Sequence, residues 1–287
     1  MVRAAGLLTD PDGAAQADHV CWVYEDDEDF VDVARRYLEE GLARGERLLY
    51  VGEPHPADLA TEAGPLADVD GLIARGALKV LDLRAGYQRS DAFTPAEQLA
   101  FYETATADAR AAGYSGLCVV AEISGLAADP GRRPDLVRWE HLADEFMGSG
   151  SGMRALCAYR GDLGREALTD VASVHPLVHD SAGGPPFRSW FEGEAIALAG
   201  ALDTFGADRL EQVLTGTHVD RPAVTLDLSQ VEFVDVGGCR AIARWARLLQ
   251  DRGSRLELAG TSRVFRRMWR ILDFDSCAAV SFREPPS

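Results

Sequence analysis

The sequence predicts an α/β protein in two parts: a doubly wound, mostly parallel sheet, followed by a smaller α/β domain. Three observations carry this. Short apolar runs of strand length alternate with helix-length amphipathic segments between residues 20 and 159. The Gly- and Pro-rich stretch Ser181-Ala-Gly-Gly-Pro-Pro186 then interrupts the pattern. Beyond it, residues 224–249 pass from period-two alternation to helical spacing. With 287 residues the chain has the length of two ordinary domains. The expected division is a tail at 1–17, a first domain at 18–180, a linker at 181–186 and a second domain at 187–287.

Taken in order, Val20-Cys-Trp-Val-Tyr24 is the first strand, followed by the acidic run Glu25-Asp-Asp-Glu-Asp29. A helix comes next, because Phe30, Val33, Ala34, Tyr37, Leu38 and Leu42 recur three and four apart and Gly45 stands just past them as a cap. Arg47-Leu-Leu-Tyr-Val51 is the second strand. Strand, helix and strand in that order make a βαβ unit, which needs a parallel pair and a right-handed crossover. The pattern recurs with a strand at 78–83, a helix at 95–112 opened by Thr94 and Pro95, a strand at 117–121, a helix at 135–147 and a last strand at 155–159.

The residues His19-Val-Cys-Trp-Val-Tyr24, Gly41-Leu-Ala-Arg-Gly-Glu46-Arg-Leu-Leu-Tyr-Val51, Ala121-Glu122, Trp139-Glu140, Leu156-Cys-Ala-Tyr159 and His175-Pro176 resemble a MEDS domain. The resemblance implies a sensory domain with a RecA-like fold. The chain departs from the family at Cys118, where an Arg is usual, and at Gly125, where a Trp is usual. A phosphate loop needs Gly-rich backbone, a Lys and a Ser or Thr. Residues 25–29 offer five carboxylates instead, so the loop is degenerate and ATP hydrolysis there is not expected; helix capping is the plainer role for these acids.

Ligands of open α/β sheets bind beyond the carboxyl ends of the strands. That rule gathers Tyr24, Glu25, Glu122, Ser124 and Tyr159 into a candidate pocket for a small molecule. His19 and Glu140 join the candidates as titratable groups beside apolar runs, although a structural or capping role for His19 and His175 and a solvated or salt-bridged role for Glu140 are the blander readings. The His and Cys spacings match no zinc pattern, so neither a metal nor a cofactor is expected. The five cysteines are odd in number and scattered, which reads as buried reduced thiols.

In the second domain, Val224, Leu226 and Leu228 alternate with polar residues, Phe233-Val234 follows, and Asp235-Val-Gly-Gly238 supplies a tight strand-to-helix connection. The helix after it puts Ile242, Trp245, Leu248 and Leu249 on one face. Together with Ala195-Ile-Ala-Leu-Ala-Gly-Ala-Leu-Asp203 and the strand after Asp251-Arg-Gly, these residues resemble a STAS domain of the anti-sigma-factor antagonist type. The resemblance implies a partner of the anti-sigma factor or serine-kinase kind, docked at Asp235, Val236, Gly237 and Gly238 and the helix after them, where Arg240 and Arg244 stand at helical spacing as a contact stripe or, more blandly, a solvated face. In the family the second Ser of Asp-Ser-Ser-Gly takes the phosphate. Here Gly237 stands at that position, so control by phosphorylation at the usual hydroxyl is lost.

Charge narrows the partners. The chain holds 29 basic and 46 acidic residues, of which 13 and 14 follow Gly184, leaving 16 basic and 32 acidic residues before it. So acidic a first domain disfavours nucleic acid and anionic membrane. No apolar run reaches the roughly eighteen residues of a span, and the N-terminus lacks a signal-peptide pattern, so a cytoplasmic location is expected. The sum is a non-enzymatic signalling protein whose sensory domain controls a partner-binding domain. The alternatives are a nucleotide-binding or hydrolytic enzyme built on the first domain with Glu122 and Glu140 as acid and base, or a ligand-free adaptor that forms homo-oligomers.

Overall fold

The computed structural model describes residues 3–53, 59–60, 64–87, 93–181 and 183–283. Ala182, in the expected linker, and the outermost residues of the expected tail and second domain lie outside them. The chain divides into two compact units, Arg3–Gly184 and Pro185–Ser287.

The first unit runs β1 (Gly6–Leu7), α1 (Pro11–Gln16), β2 (His19–Tyr24), α2 (Asp27–Ala43), β3 (Arg47–Val51), α3 (Val69–Ala74), β4 (Leu78–Leu81), α4 (Leu83–Tyr87), α5 (Pro95–Ala111), β5 (Leu117–Glu122), α6 (Ser124–Ala127), α7 (Arg133–Gly148), β6 (Met153–Arg160), α8 (Arg165–Ala172) and β7 (Leu177–His179). Its seven strands lie in the order β1-β7-β2-β6-β5-β3-β4, and every pair is parallel. All six residues of β2 are buried, as a central strand with both faces covered must be.

Alternation splits the core. Cys21, Val23, Val119, Cys157 and Tyr159 face α5 and α7, packing with Tyr102 and Trp139, whereas Val20, Trp22, Val120 and Leu156 face α2, packing with Phe30, Val33, Tyr37 and Leu38. Each such fully buried side chain contributes about 1.5–3 kcal/mol of transfer free energy.

Local chemistry sets the ends. The Asp26 carboxylate accepts the Asp29 N–H and opens α2, with Asp27, Glu28 and Asp29 in its first turn. The acidic run therefore caps a helix and lies along its positive end. Gly45 takes φ +73° just after it. Thr94 accepts the Glu97 N–H to open α5.

Three expectations need correction. Residues 6–16 are not a tail: β1 pairs with β7 and α1 is capped by Asp10. The strand expected at 78–83 ends at Leu81, because the Asp82 carboxylate takes the Ala85 N–H and starts α4. Residues 155–159 are not the last strand of this unit; β7 follows, too short to show a period.

The second unit contains β8 (Phe187–Glu192), β9 (Ala195–Leu202), α9 (Ala207–Gly216), β10 (Ala223–Val234), α10 (Val236–Asp251), β11 (Arg255–Ala259), α11 (Arg263–Ile271) and β12 (Val280–Phe282). Its five strands run β12-β11-β10-β9-β8, with β8 and β9 antiparallel and the remainder parallel. The two apolar runs of the sequence merge into one twelve-residue β10. Its register against β9 shifts between Asp227 and Gln230 and again between Val231 and Phe233, and such bulges break the period-two signal midway. Ile242, Trp245 and Leu249 of α10 pack on Leu226, Leu256 and Leu258.

Candidate functional site

In the first unit, α7 carries Glu140 and Asp144 four residues apart on its inward face, both fully buried. The start of β2 brings His19, β6 brings Cys157 and Tyr159, and the turn between α8 and β7 brings His175. The His19 and His175 rings lie 4.1 Å apart between centroids.

The hydrogen bonds decide the tautomers. His19 Nδ1 lies 2.9 Å from Asp144 Oδ1, and His175 Nδ1 lies 2.8 Å from the Val171 carbonyl oxygen. A carboxylate and a carbonyl only accept, so both Nδ1 atoms carry hydrogen. Both Nε2 atoms therefore turn toward Glu140 Oε2, at 3.4 Å from His19 and 3.5 Å from His175. Cys157 Sγ is 3.3 Å from the same oxygen, while the Tyr159 hydroxyl donates to Glu140 Oε1 at 3.1 Å. Arg3 grips Asp144 through two nitrogens at 2.8 and 3.1 Å and also reaches Asp18 at 2.8 Å.

Burial and charge oppose each other throughout this cluster. Burial raises Asp144, but the hydrogen bond from His19 and the Arg3 charge outweigh it and hold the carboxyl well below its usual range. Glu140, likewise raised by burial, is drawn down to about 2 by His175 and His19. Burial lowers His19, yet its two carboxylates raise it overall. Burial and the His19 charge lower His175. Burial, then the Glu140 charge, pushes the Cys157 thiol far up.

A second group sits at the carboxyl ends of β2, β5 and β6. The Tyr24 hydroxyl donates to Glu122 Oε1 at 3.2 Å, the Ser124 N–H donates to the same oxygen at 3.2 Å, and Ser124 Oγ accepts the Arg160 N–H at 2.8 Å. Glu25 accepts from Ser181 Oγ at 3.1 Å. Burial raises the Glu122 carboxyl and, with the Glu122 charge, the Tyr24 hydroxyl.

The seven candidate residues of the expected pocket thus fall into two places. Tyr24, Glu122 and Ser124 meet at the carboxyl ends of the central strands, Glu25 follows Tyr24 in the chain and accepts from Ser181, and His19, Glu140 and Tyr159 lie in the core. Register explains the division: Tyr159 pairs with Val23, so it faces away from Tyr24. Glu140 is not solvated. Asp144, Cys157, His175 and Arg3 complete the inner cluster and were not among the candidates. The four-residue spacing of Glu140 and Asp144 among the apolar Leu136, Trp139, Ala143 and Met147 is the local signal that could have pointed to it.

In the second unit, the expected connection at 235–238 is the first turn of α10, with Asp235 as its cap. Asp235 Oδ1 accepts the N–H groups of Gly237 at 2.7 Å and Gly238 at 3.2 Å. Oδ2 accepts the Thr204 N–H at 2.8 Å and hydroxyl at 2.7 Å. Burial raises this carboxyl, but these four hydrogen bonds lower it overall. A Cβ on Gly237 would meet Thr204 Cα at 2.7 Å, and one on Gly238 would run into the Leu202 carbonyl oxygen. Apolar side chains nearby in the sequence face solvent: Phe205 is 96% exposed, Phe233 55% and Val236 39%. Arg240 and Arg244 are exposed on α10, and Arg244 pairs with Glu211 at 2.7 Å.

Comparison with known families decides the first unit. The model of the MEDS family, the methanogen/methylotroph DcmR sensory domain, matches residues 18–176. The chain belongs to the MEDS family. A second model, described as Mlab, STAS domain, matches residues 188–281. The protein therefore joins a MEDS sensory domain to a STAS domain, modules that are regulatory rather than catalytic.

Three solved structures are similar to part of the chain. A sulfate transporter family protein from Wolinella succinogenes shares 24% identity over 31% of this chain and 75% of its own, with a TM-score of 0.27. An anti-sigma factor antagonist from Mycobacterium paratuberculosis shares 20% over 33% and 83%, with a TM-score of 0.28. The anti-sigma factor antagonist SpoIIAA in its unphosphorylated form shares 13% over 35% and 89%, with a TM-score of 0.27. Among curated proteins no relative matches. Among the described residues, no helix is long and apolar enough to cross a membrane.

His19, Glu140, Cys157 and His175 all fall within the MEDS match, as do Tyr24, Glu25, Glu122 and Ser124. Arg3, which neutralises Asp144, lies before it.

Proposed function

We propose that this protein is a signalling regulator in which the MEDS domain binds a small-molecule signal and governs the STAS domain, which docks an anti-sigma factor or a related serine-kinase-type regulator. The ligand site is the carboxyl end of the central strands, at Tyr24, Glu25, Glu122 and Ser124, where a half-buried carboxylate and a Tyr hydroxyl offer directional polar contacts. Docking uses the first turn of α10, with Asp235, Val236, Gly237 and Gly238 at its centre and Arg240 and Arg244 farther along.

One observation carries the docking reading. Phe205, with 96% of its surface in water, follows Thr204, which is tied to Asp235 at the start of α10. A large aromatic held out in solvent beside a rigid helix start is the composition of a protein-binding hot spot rather than of a folding core. The absence of a hydroxyl at Gly237 leaves regulation to the MEDS domain instead of phosphate repulsion at that position.

The test is affinity capture of an anti-sigma kinase domain from the same cell by the full chain and by Phe205→Asp. Capture by the wild type and its loss in the variant support the reading. Equal capture by both places docking elsewhere, and capture by neither removes an anti-sigma partner.

A further inference from the structure

Four buried side chains of the MEDS domain come together in a way that salt bridging alone does not explain. One donor atom from each of His19, Glu140, Cys157 and His175 lies within 4.8 Å of all the others. Glu140 Oε2 stands 3.3 Å from Cys157 Sγ, 3.4 Å from His19 Nε2 and 3.5 Å from His175 Nε2. Cys157 Sγ and His19 Nε2 are 3.9 Å apart. A tetrahedral zinc ion with bonds of about 2.0–2.3 Å separates its ligands by roughly 3.3–3.8 Å. The three distances from Glu140 Oε2 are those of a coordination shell, and the wider separations, up to 4.8 Å, close by a small inward shift of the side chains when an ion binds.

Orientation adds to distance. Asp144 and the Val171 carbonyl each take an Nδ1 hydrogen, which leaves the Nε2 lone pairs of both imidazoles directed at the cluster, the arrangement of carboxylate- and carbonyl-supported histidine ligands. The Tyr159 hydroxyl occupies Glu140 Oε1 and leaves Oε2 for the centre. His175 Nε2 is fully buried and has no hydrogen-bond partner among the described residues, an expensive state for a polar atom in a core.

Without a metal, a proton on His19 Nε2 can join that imidazole to Glu140 Oε2; a cation between the two imidazoles and the carboxylate takes that proton's place, and the proton leaves to solvent. Charge also balances. A Cys157 thiolate and the Glu140 carboxylate offset a divalent ion, while Arg3 offsets Asp144 outside them, so the site adds no net charge to the core.

We propose that His19 Nε2, His175 Nε2, Cys157 Sγ and Glu140 Oε2 bind one zinc ion, in a closed tetrahedral site between β2, β6, α7 and the turn before β7. Two imidazoles, a thiolate and a carboxylate form the borderline-soft donor set that suits Zn2+ over Mg2+ or Ca2+. With four protein ligands the site has no open position for a reacting water. It stores metal-binding energy as stability of the MEDS fold, and the thiol proton leaves to solvent as the Zn–S bond forms.

The experiment uses the full chain in a Cys277→Ser background, because Cys277 is exposed. The protein is unfolded with chelator and refolded with Zn2+ or Co2+. One tightly held ion per chain, a tetrahedral cobalt spectrum and a thiolate-to-cobalt charge-transfer band are expected. The band disappears in Cys157→Ser and persists in Cys21→Ser, which changes the thiol paired with Cys157 across β2 and β6. Folded protein that retains no Zn2+ and gives no charge-transfer band overturns the proposal, as does a band that survives Cys157→Ser. Should Cys157→Ser fail to fold, the stoichiometry and cobalt spectrum of the parent chain decide. Neither readout involves a protein partner, so failure here is distinguishable from failure of the docking reading.

Discussion

Gly237 and Thr204 are packed so closely that a Cβ on the glycine would stand 2.7 Å from Thr204 Cα and 2.8 Å from its Oγ1. The chain lacks the room for a side chain at this position as well as the hydroxyl. Gly237→Ser should therefore not restore a regulated phosphorylation site. It should destabilise the STAS unit by about 1–3 kcal/mol, the usual cost of overpacking, read as a lower urea midpoint with an unchanged slope. A variant as stable as the parent would show that the Thr204 turn yields freely. Gly237→Asp carries the same strain, which makes it a poor imitation of a phosphate.

Phe205 offers a cleaner probe of docking. At 96% exposure it contributes almost nothing to the core, so Phe205→Ser should alter stability by less than about 0.5 kcal/mol while partner capture falls at least tenfold. A large loss of stability would mean that the ring has a packing role.

Arg3 holds a fully buried carboxylate. Breaking a buried pair by removing one partner costs about 3–5 kcal/mol, and Arg3→Met should approach that figure because it removes a guanidinium that holds the fully buried Asp144 carboxylate through two nitrogens. The double variant Arg3→Met, Asp144→Asn should lose less than the sum of the single changes. Strict additivity in urea unfolding would sever the energetic link.

Asp235 makes a pH prediction. Its folded carboxyl sits below the ordinary aspartate value, since the hydrogen bonds of Thr204, Gly238 and Gly237 outweigh burial. The stability from its ionised form is thus complete above the unfolded value of about 3.9 and is lost as pH falls through the lower folded value. In an NMR titration of the full chain, the Gly237 and Gly238 amide shifts should move with a midpoint below 3.9. Asp235→Asn, which keeps the cap without the charge, should abolish that transition. A midpoint at or above the ordinary value would contradict the geometry.

Much of the fold was written in local periodicity. The βαβ rhythm, the Thr94 and Asp26 caps and the apolar stripe on α10 each depend on residues close in the chain, so propensity and spacing suffice to see them. The bulged β10 and the two-residue β1 were not visible, because bulges break period two and a strand that short has no period.

What the sequence determined by itself was the pair of domain families, the α/β class, the concentration of acid in the first part and the lost hydroxyl at residue 237. The tertiary structure alone decided which chemistry-bearing residues meet. His19, Glu140, Cys157 and His175 are distant in the chain and show no ligand spacing; they converge because a parallel sheet sets β2 beside β6 and lays α7 across the pair. It also separated Tyr24 from Tyr159, since pleating sends adjacent register positions to opposite faces. Contacts made through crossover connections leave no trace in local pattern, and the buried cluster is built almost wholly from such contacts.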